Sequence, residues 1–209
     1  MISLYLTKTE HLPPREELLR RVLFGVSAEK RDEWCRASEK RAVESLSGIL
    51  LLQRGLELEE FSGVGARLQY EETGRPFLQD CEVDFSISHA EGVTAVAMMR
   101  ETEGRVGVDV ERLQGRSQAS MQRIAERWFT DGERELWRAQ PDEMRFLQIW
   151  TGKEALSKQR GCGLSGVTSC DVTNLRESVL NTYFADDIVV TLCAPLDAML
   201  PNEAKWIAL

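Results

Sequence analysis

Between residues 83 and 110 the hydrophobic pattern of the chain changes period. Val83, Phe85 and Ile87 alternate with polar neighbours, Val93 to Met99 is a β-type apolar run, and Val106-Gly107-Val108-Asp109-Val110 reads as another short strand. Helical spacing brackets these strands. From Ala37 to about Leu56 the apolar residues Ala42, Val43, Leu46, Ile49 and Leu50 recur every three or four positions, and a second long helix, 142–159, starts just after Pro141. Ser3 to Leu6 reads as an opening strand. Pro13-Pro14 introduces a helix to about Phe24, and Ser27 caps one carrying Lys30, Arg31 and Trp34. Further helices are expected at about 117–128 and 131–139, and strands near 179–184, 187–193 and 205–208. The fold class is therefore mixed α/β (α+β), with two stretches of strand–helix–strand character. No Pro/Ser-rich linker or residue-level repeat separates them, so two halves must pack directly on each other.

Composition narrows the function. The 209 residues hold 26 Lys+Arg against 34 Asp+Glu, a formal charge of −8. Such a surface is unsuited to coating nucleic acid or an anionic membrane. The opening MISLYLTKTE lacks the basic and apolar regions of a secretory signal, and apolar runs such as Ile49–Leu52 are far too short to span a bilayer. Five scattered cysteines without a C-x-x-C pair predict neither a disulfide framework nor a zinc site, and fit a reducing cytoplasm.

Four short patterns carry residues with chemistry. On a strand, positions two apart share a face, so Asp109 and Glu111 project together while Val108 and Val110 point to the core. Two such carboxylates repel unless a cation lies between them, and a hard divalent ion held with substrate phosphates is the natural partner. A solvated acidic strand end is the plainer reading. In Trp150-Thr151-Gly152-Lys153-Glu154-Ala155-Leu156-Ser157-Lys158, Glu154 and Lys158 share a helix face at i, i+4. By itself this describes a surface ion pair; with Lys153 it also suits a diphosphate–metal unit. Ser88-His89 at a strand end can bind phosphate or simply terminate the strand. Gly74-Arg75-Pro76 is a turn with a cation in it. Gly161-Cys162-Gly163 is a helix stop, and Trp34, Trp128, Trp137 and Trp206 read as core or interface.

Taken in order, Gly74-Arg75-Pro76, Ser86-Ile87-Ser88-His89, Val106-Gly107-Val108-Asp109-Val110-Glu111, Phe129-Thr130-x-x-Glu133 and Trp150-Thr151-x-Lys153-Glu154-Ala155-x-x-Lys158 resemble the motifs of the 4′-phosphopantetheinyl transferase superfamily, in its two-lobed Sfp type. The resemblance is carried by residues 74–164; the first 70 residues match loosely and the last 40 carry no motif. It implies two similar halves, 1–104 on the coenzyme A nucleotide side and 105–209 on the metal and catalytic side, related by a pseudo-two-fold axis. The implied reaction moves the 4′-phosphopantetheine arm of coenzyme A to a serine of an apo acyl or peptidyl carrier protein, releasing adenosine 3′,5′-bisphosphate. By the same resemblance Asp109, Glu111 and Glu154 hold Mg²⁺. Glu154 also activates the carrier serine, directly or, because ligation lowers its own basicity, through a water. Lys158 neutralises the leaving phosphate and Lys153 steadies the coenzyme. Ser88 and His89 contact its phosphates, and Gly74, Arg75 and Pro76 shape the nucleotide pocket.

One departure stands out: Glu44 occupies a helix position where relatives of this type carry a basic residue. Lys30, Lys40 or Arg41 are the candidates for the charge facing the 3′-phosphate. Carrier docking is expected on Arg112, Arg116 and Arg123 with exposed Met121 and Ile124; the alternative is a solvated Arg-rich loop. A two-lobed chain contains its own interlobe site, so a monomer suffices. The rival readings are another Mg²⁺-dependent phosphate-transferring enzyme and an idle carrier-binding homologue; the intact Asp109, Glu111, Glu154 and Lys158 argue against the latter.

Overall fold

Two sheets, each covered by one long helix, are built from the same local pattern used twice. The computed structural model describes residues 1–209, the side chains of Leu164 and Ser165 excepted. The first sheet contains β1 (Ser3–Lys8), β4 (Val83–Ala90), β5 (Val93–Arg100) and β9 (Lys205–Trp206), in the order β4-β5-β1-β9. The second contains β6 (Gly107–Arg112), β7 (Ser178–Ala185) and β8 (Ile188–Pro195), in the order β6-β8-β7. A separate hairpin joins β2 (Arg67–Tyr70) to β3 (Pro76–Gln79). The helices are α1 (Arg15–Arg21), α2 (Ala28–Arg36), α3 (Glu39–Leu58), α4 (Gln118–Trp128), α5 (Asp131–Arg138), α6 (Glu143–Arg160) and the single turn α7 (Gly163–Gly166). In each half a strand leads through a long helix to a hairpin whose second strand pairs back with the first. β1, α3, β4 and β5 follow that path, and β6, α6, β7 and β8 repeat it.

Strand alternation decides what each face meets. Leu4 and Leu6 of β1, with Ile2, join Ala95, Ala97 and Met99 of β5 in an apolar layer that also takes Val106, Val108 and Val110, with Val190 and Leu192 of β8. This layer lies between the sheets. The opposite face of the first sheet presents Tyr5, Phe85, Val96 and Met98 to Leu46, Ile49, Leu52 and Leu56 of α3. A third cluster gathers Met121 and Ala125 of α4 with Phe129, Trp137, Phe146 and Leu147. Burying each large side chain contributes about 1.5–3 kcal/mol. No helix among the described residues is long and apolar enough to cross a membrane.

Local chemistry explains the element ends. The hydroxyls of Ser27, Ser38, Ser117 and Thr130 accept the first orphan N–H groups of α2 to α5, and the Asp142 carboxylate does so for α6. Gly161 ends α6 in the left-handed region, φ 67°, as a helix stop requires. Three elements differ from the sequence expectation. α1 stops at Arg21, not Phe24, because Val22 is extended and the Leu23 N–H turns to Gln53 Oε1 at 2.9 Å. The β2–β3 hairpin is new, with its turn over Glu71–Arg75 and Gly74 at φ 86°. At 205–208 only Lys205 and Trp206 pair, parallel to β1.

Candidate active site

The site is set by how closely α6 approaches β6. A Cβ on Gly107 would lie 2.0 Å from the Ala155 carbonyl oxygen and 2.6 Å from the Gln159 nitrogen, so only glycine admits the helix. Alternation puts Asp109 and Glu111 on the face that Gly107 opens, opposite Glu154 and Lys158 of α6. The Lys158 ammonium reaches Asp109 Oδ1 at 2.7 Å, Ser88 Oγ at 2.8 Å and the Val108 carbonyl at 3.0 Å. Ser88 in turn donates to Asp109 Oδ1 at 2.7 Å. This triangle ties β4, β6 and α6 together.

The carboxylates repel one another. Burial, and next the negative charge of Asp109, push the Glu154 carboxyl up to about 7; Lys158 only partly offsets them and Glu111 adds to the rise. Burial and Asp109 raise Glu111 as well, against Arg116 and a hydrogen bond from Trp150. Arg116 donates to Glu111 Oε2 at 2.7 Å and to Glu143 Oε1 at 3.0 Å, so each β6 carboxylate has an internal counter-cation.

A cavity of about 230 Å³ leads away from this centre, from Glu154 and Lys158 past Ser86 to Gly74 and Pro76. Arg75 lies along it, but its guanidinium is occupied. It bridges both oxygens of Asp84 at 2.7 and 2.9 Å, the carbonyls of Phe85 and Val106 at 3.1 and 3.0 Å, and the Lys158 carbonyl. Asp84 also accepts the Val106 N–H at 2.7 Å, Ser86 accepts that of Val108 at 3.0 Å, and Ser88 holds Asp109. One polar face of β4 therefore joins the two sheets side chain by side chain.

Several expected site residues already have partners or lie outside the cavity lining. His89 is exposed near the end of β4 and does not line the cavity, although Phe85 and Ile87, on its face of the strand, do. Lys30 pairs with Glu33 at 2.9 Å and lies 4.6 Å over the Tyr70 ring, and Lys40 lies 3.7 Å from Glu91. Lys153 is fully buried on another side of α6, paired with Glu133 at 2.7 Å, away from the cavity lining where a coenzyme-steadying lysine belongs. The exposed docking patch also differs. Met121 is 2% exposed and Ile124 packs against the same cluster, because α4 needs both for its apolar face. Arg112 pairs with Asp187 at 3.0 Å and Arg116 with Glu111, which leaves Arg123 as the exposed member of the set. Sequence reasoning missed Asp84 and Glu143. The period-two polar run Asp84, Ser86, Ser88 carried a signal for the first; nothing local marked the second.

Three carboxylates offer only oxygen donors, the set a hard cation such as Mg²⁺ takes. Their mutual repulsion is what a divalent charge relieves, so the residues fit the ion in donor type. Among the described residues no three acidic, histidine or cysteine side chains surround one point in this state, in which Lys158 and Arg116 each hold one of the carboxylates.

Comparison with known proteins identifies a family for the chain. The model of the 4′-phosphopantetheinyl transferase superfamily matches residues 105–193, the span from β6 into β8. The 4′-phosphopantetheinyl transferase AcpT of Escherichia coli (strain K12) is 30% identical over 143 residues, 66% of this chain and 71% of the relative. AcpT of Salmonella typhimurium is 31% identical over 160 residues, 74% and 78%. The 4′-phosphopantetheinyl transferase ffp of Bacillus subtilis is 31% identical over 159 residues, 73% and 68%. Similar in sequence to these enzymes over more than two thirds of their lengths, and matched by the family over β6 and α6, this chain belongs to the 4′-phosphopantetheinyl transferase superfamily.

Proposed function

We propose that this protein transfers the 4′-phosphopantetheine arm of coenzyme A to a serine hydroxyl of an apo acyl or peptidyl carrier protein. The observation that carries this reading is the meeting of Lys158, Glu154 and Asp109 at one end of a cavity shaped at the other by Gly74 and Pro76. The serine oxygen bonds to the β-phosphorus of coenzyme A and the bond to the bridging oxygen of the diphosphate breaks, giving adenosine 3′,5′-bisphosphate. Glu154 takes the serine proton directly or, because metal ligation lowers its own basicity, through a water. Lys158 leaves Asp109 to meet the charge growing on the departing phosphate. Mg²⁺ held by Asp109, Glu111 and Glu154 would supply further charge neutralisation on the diphosphate. Ser88 is the group beside Lys158 able to donate to a phosphate oxygen.

In this reading residues 1–104 form the nucleotide side and 105–209 the metal and catalytic side of a cytoplasmic monomer. Carrier docking then uses the exposed edge of α4 at Arg123. The net charge of −8 disfavours nucleic acid as a partner. The test is incubation with coenzyme A, Mg²⁺ and apo carrier proteins, followed by intact mass. A gain of one phosphopantetheine, lost in Asp109→Ala and Glu154→Gln, is expected. No gain on carriers of several classes would overturn the reading in favour of another phosphate-transferring activity or an idle homologue.

A further inference from the structure

Lys153 and Glu133 form the one ion pair among the described residues in which both side chains are fully buried. A buried pair is costly unless its remaining hydrogen-bonding capacity is filled, and here it is. Glu133 Oε2 accepts the Thr130 N–H at 2.8 Å, and Oε1 accepts the Val172 N–H at 2.9 Å. Lys153 also donates to the Cys170 carbonyl. Glu133 thus reads three things at once: the first turn of α5, the chain at 170–172, and α6. Its contact to α6 is made one residue before Glu154 and five before Lys158.

On a helix, neighbouring residues point about 100° apart. A pin on Lys153 therefore fixes the rotation at which Glu154 and Lys158 face β6. The opposite side of α6 rests on Gly107 with no space to spare. A small rotation of the helix would thus move both functional side chains and disturb the contacts Lys158 makes to Ser88 and to the Arg75 guanidinium.

We infer that Glu133 is a positioning residue for the transfer centre, acting through Lys153 to set the phase of α6. This rests on the transfer reading above. It also assigns Lys153 to the support of the helix, not to the coenzyme. The test compares wild type with the neutral pair Glu133→Gln/Lys153→Met, which leaves no lone buried charge, and with Glu133→Asp, which keeps the charge and shortens the reach. Folding is followed by thermal melting, and transfer by intact mass at varied coenzyme A.

The expected result is a folded protein whose kcat falls about 10- to 100-fold while KM for coenzyme A stays within about twofold, with Glu133→Asp showing the same split. A rise in KM at retained kcat would overturn the inference by making Lys153 a coenzyme ligand. Unchanged kcat and KM in either folded variant would overturn it by leaving the pair a purely structural tie. Absence of transfer by wild type defeats the transfer reading itself, and is separate from both results.

Discussion

Gly107 shows how one absent side chain can govern a reaction centre. The Ala155 carbonyl occupies the place of its Cβ, so Gly107→Ala must push α6 outward and carry Glu154 and Lys158 with it. Such overpacking costs about 1–3 kcal/mol; a urea titration is expected to show that loss, with transfer falling further than the folded fraction. Lys158 makes a different case. Its ammonium serves Asp109, Ser88 and a strand carbonyl in this state, and Lys158→Met is expected to lower kcat by about 100-fold or more, read as the initial rate of holo-carrier formation. The alternation that pairs Asp109 with Glu111 was legible because a strand repeats every two residues and one face was Val106, Val108, Val110. Lys153 was misplaced for the converse reason. Adjacency to Glu154 in sequence means divergence around a helix, and its partner Glu133 lies twenty positions away with no periodic signal connecting them.

Between elements, β1 and the end of α3 are joined by hydroxyls on a carboxylate. Ser3 Oγ donates to Glu59 Oε1 at 2.6 Å, and the Tyr5 hydroxyl donates to the same oxygen. Burial pushes Glu59 up, but these two hydrogen bonds and the Lys205 charge more than reverse it, leaving the carboxyl below its usual value. Burial and then the contact to Glu59 push the Tyr5 phenol up to about 12. The signs follow by linkage. The Tyr5 contribution is complete below pH 10 and is lost as pH rises toward 12; the Glu59 contribution is complete above about 4.5 and is lost as pH falls through its lowered value. Tyr5→Phe is expected to lower stability by about 1.5 kcal/mol at neutral pH and to flatten the alkaline limb, measured by denaturation between pH 7 and 12. The long helices α3 and α6 were readable because their apolar stripes are sustained. The β2–β3 hairpin was not: four-residue strands with exposed residues such as Arg67, Tyr70 and Phe77 have too little pattern to stand out. On α4, the spacing of Met121, Ile124 and Ala125 carries the inward face, and the arginines between them mask it in a reading by charge.

For the whole molecule, the two sheets share an apolar layer and a polar seam along β4, and the proposed centre lies where that seam meets α6. The doubled path of strand, helix and hairpin was visible as two strand–helix–strand stretches, whereas the seam required knowing that β4 runs beside β6. If Mg²⁺ completes the centre, chelation by EDTA is expected to stop transfer and added Mg²⁺ to restore it, while the melting curve of the protein shifts upward on titration with the ion. β9 adds a consequence of a temporal kind. Tyr5 pairs with Lys205 and Leu6 with Trp206, and the Ile207 N–H reaches back to Leu6 at 2.8 Å. A ribosome releases β1 about 200 codons before its outer neighbour, so that edge of the first sheet must wait for β9 with its backbone groups uncovered.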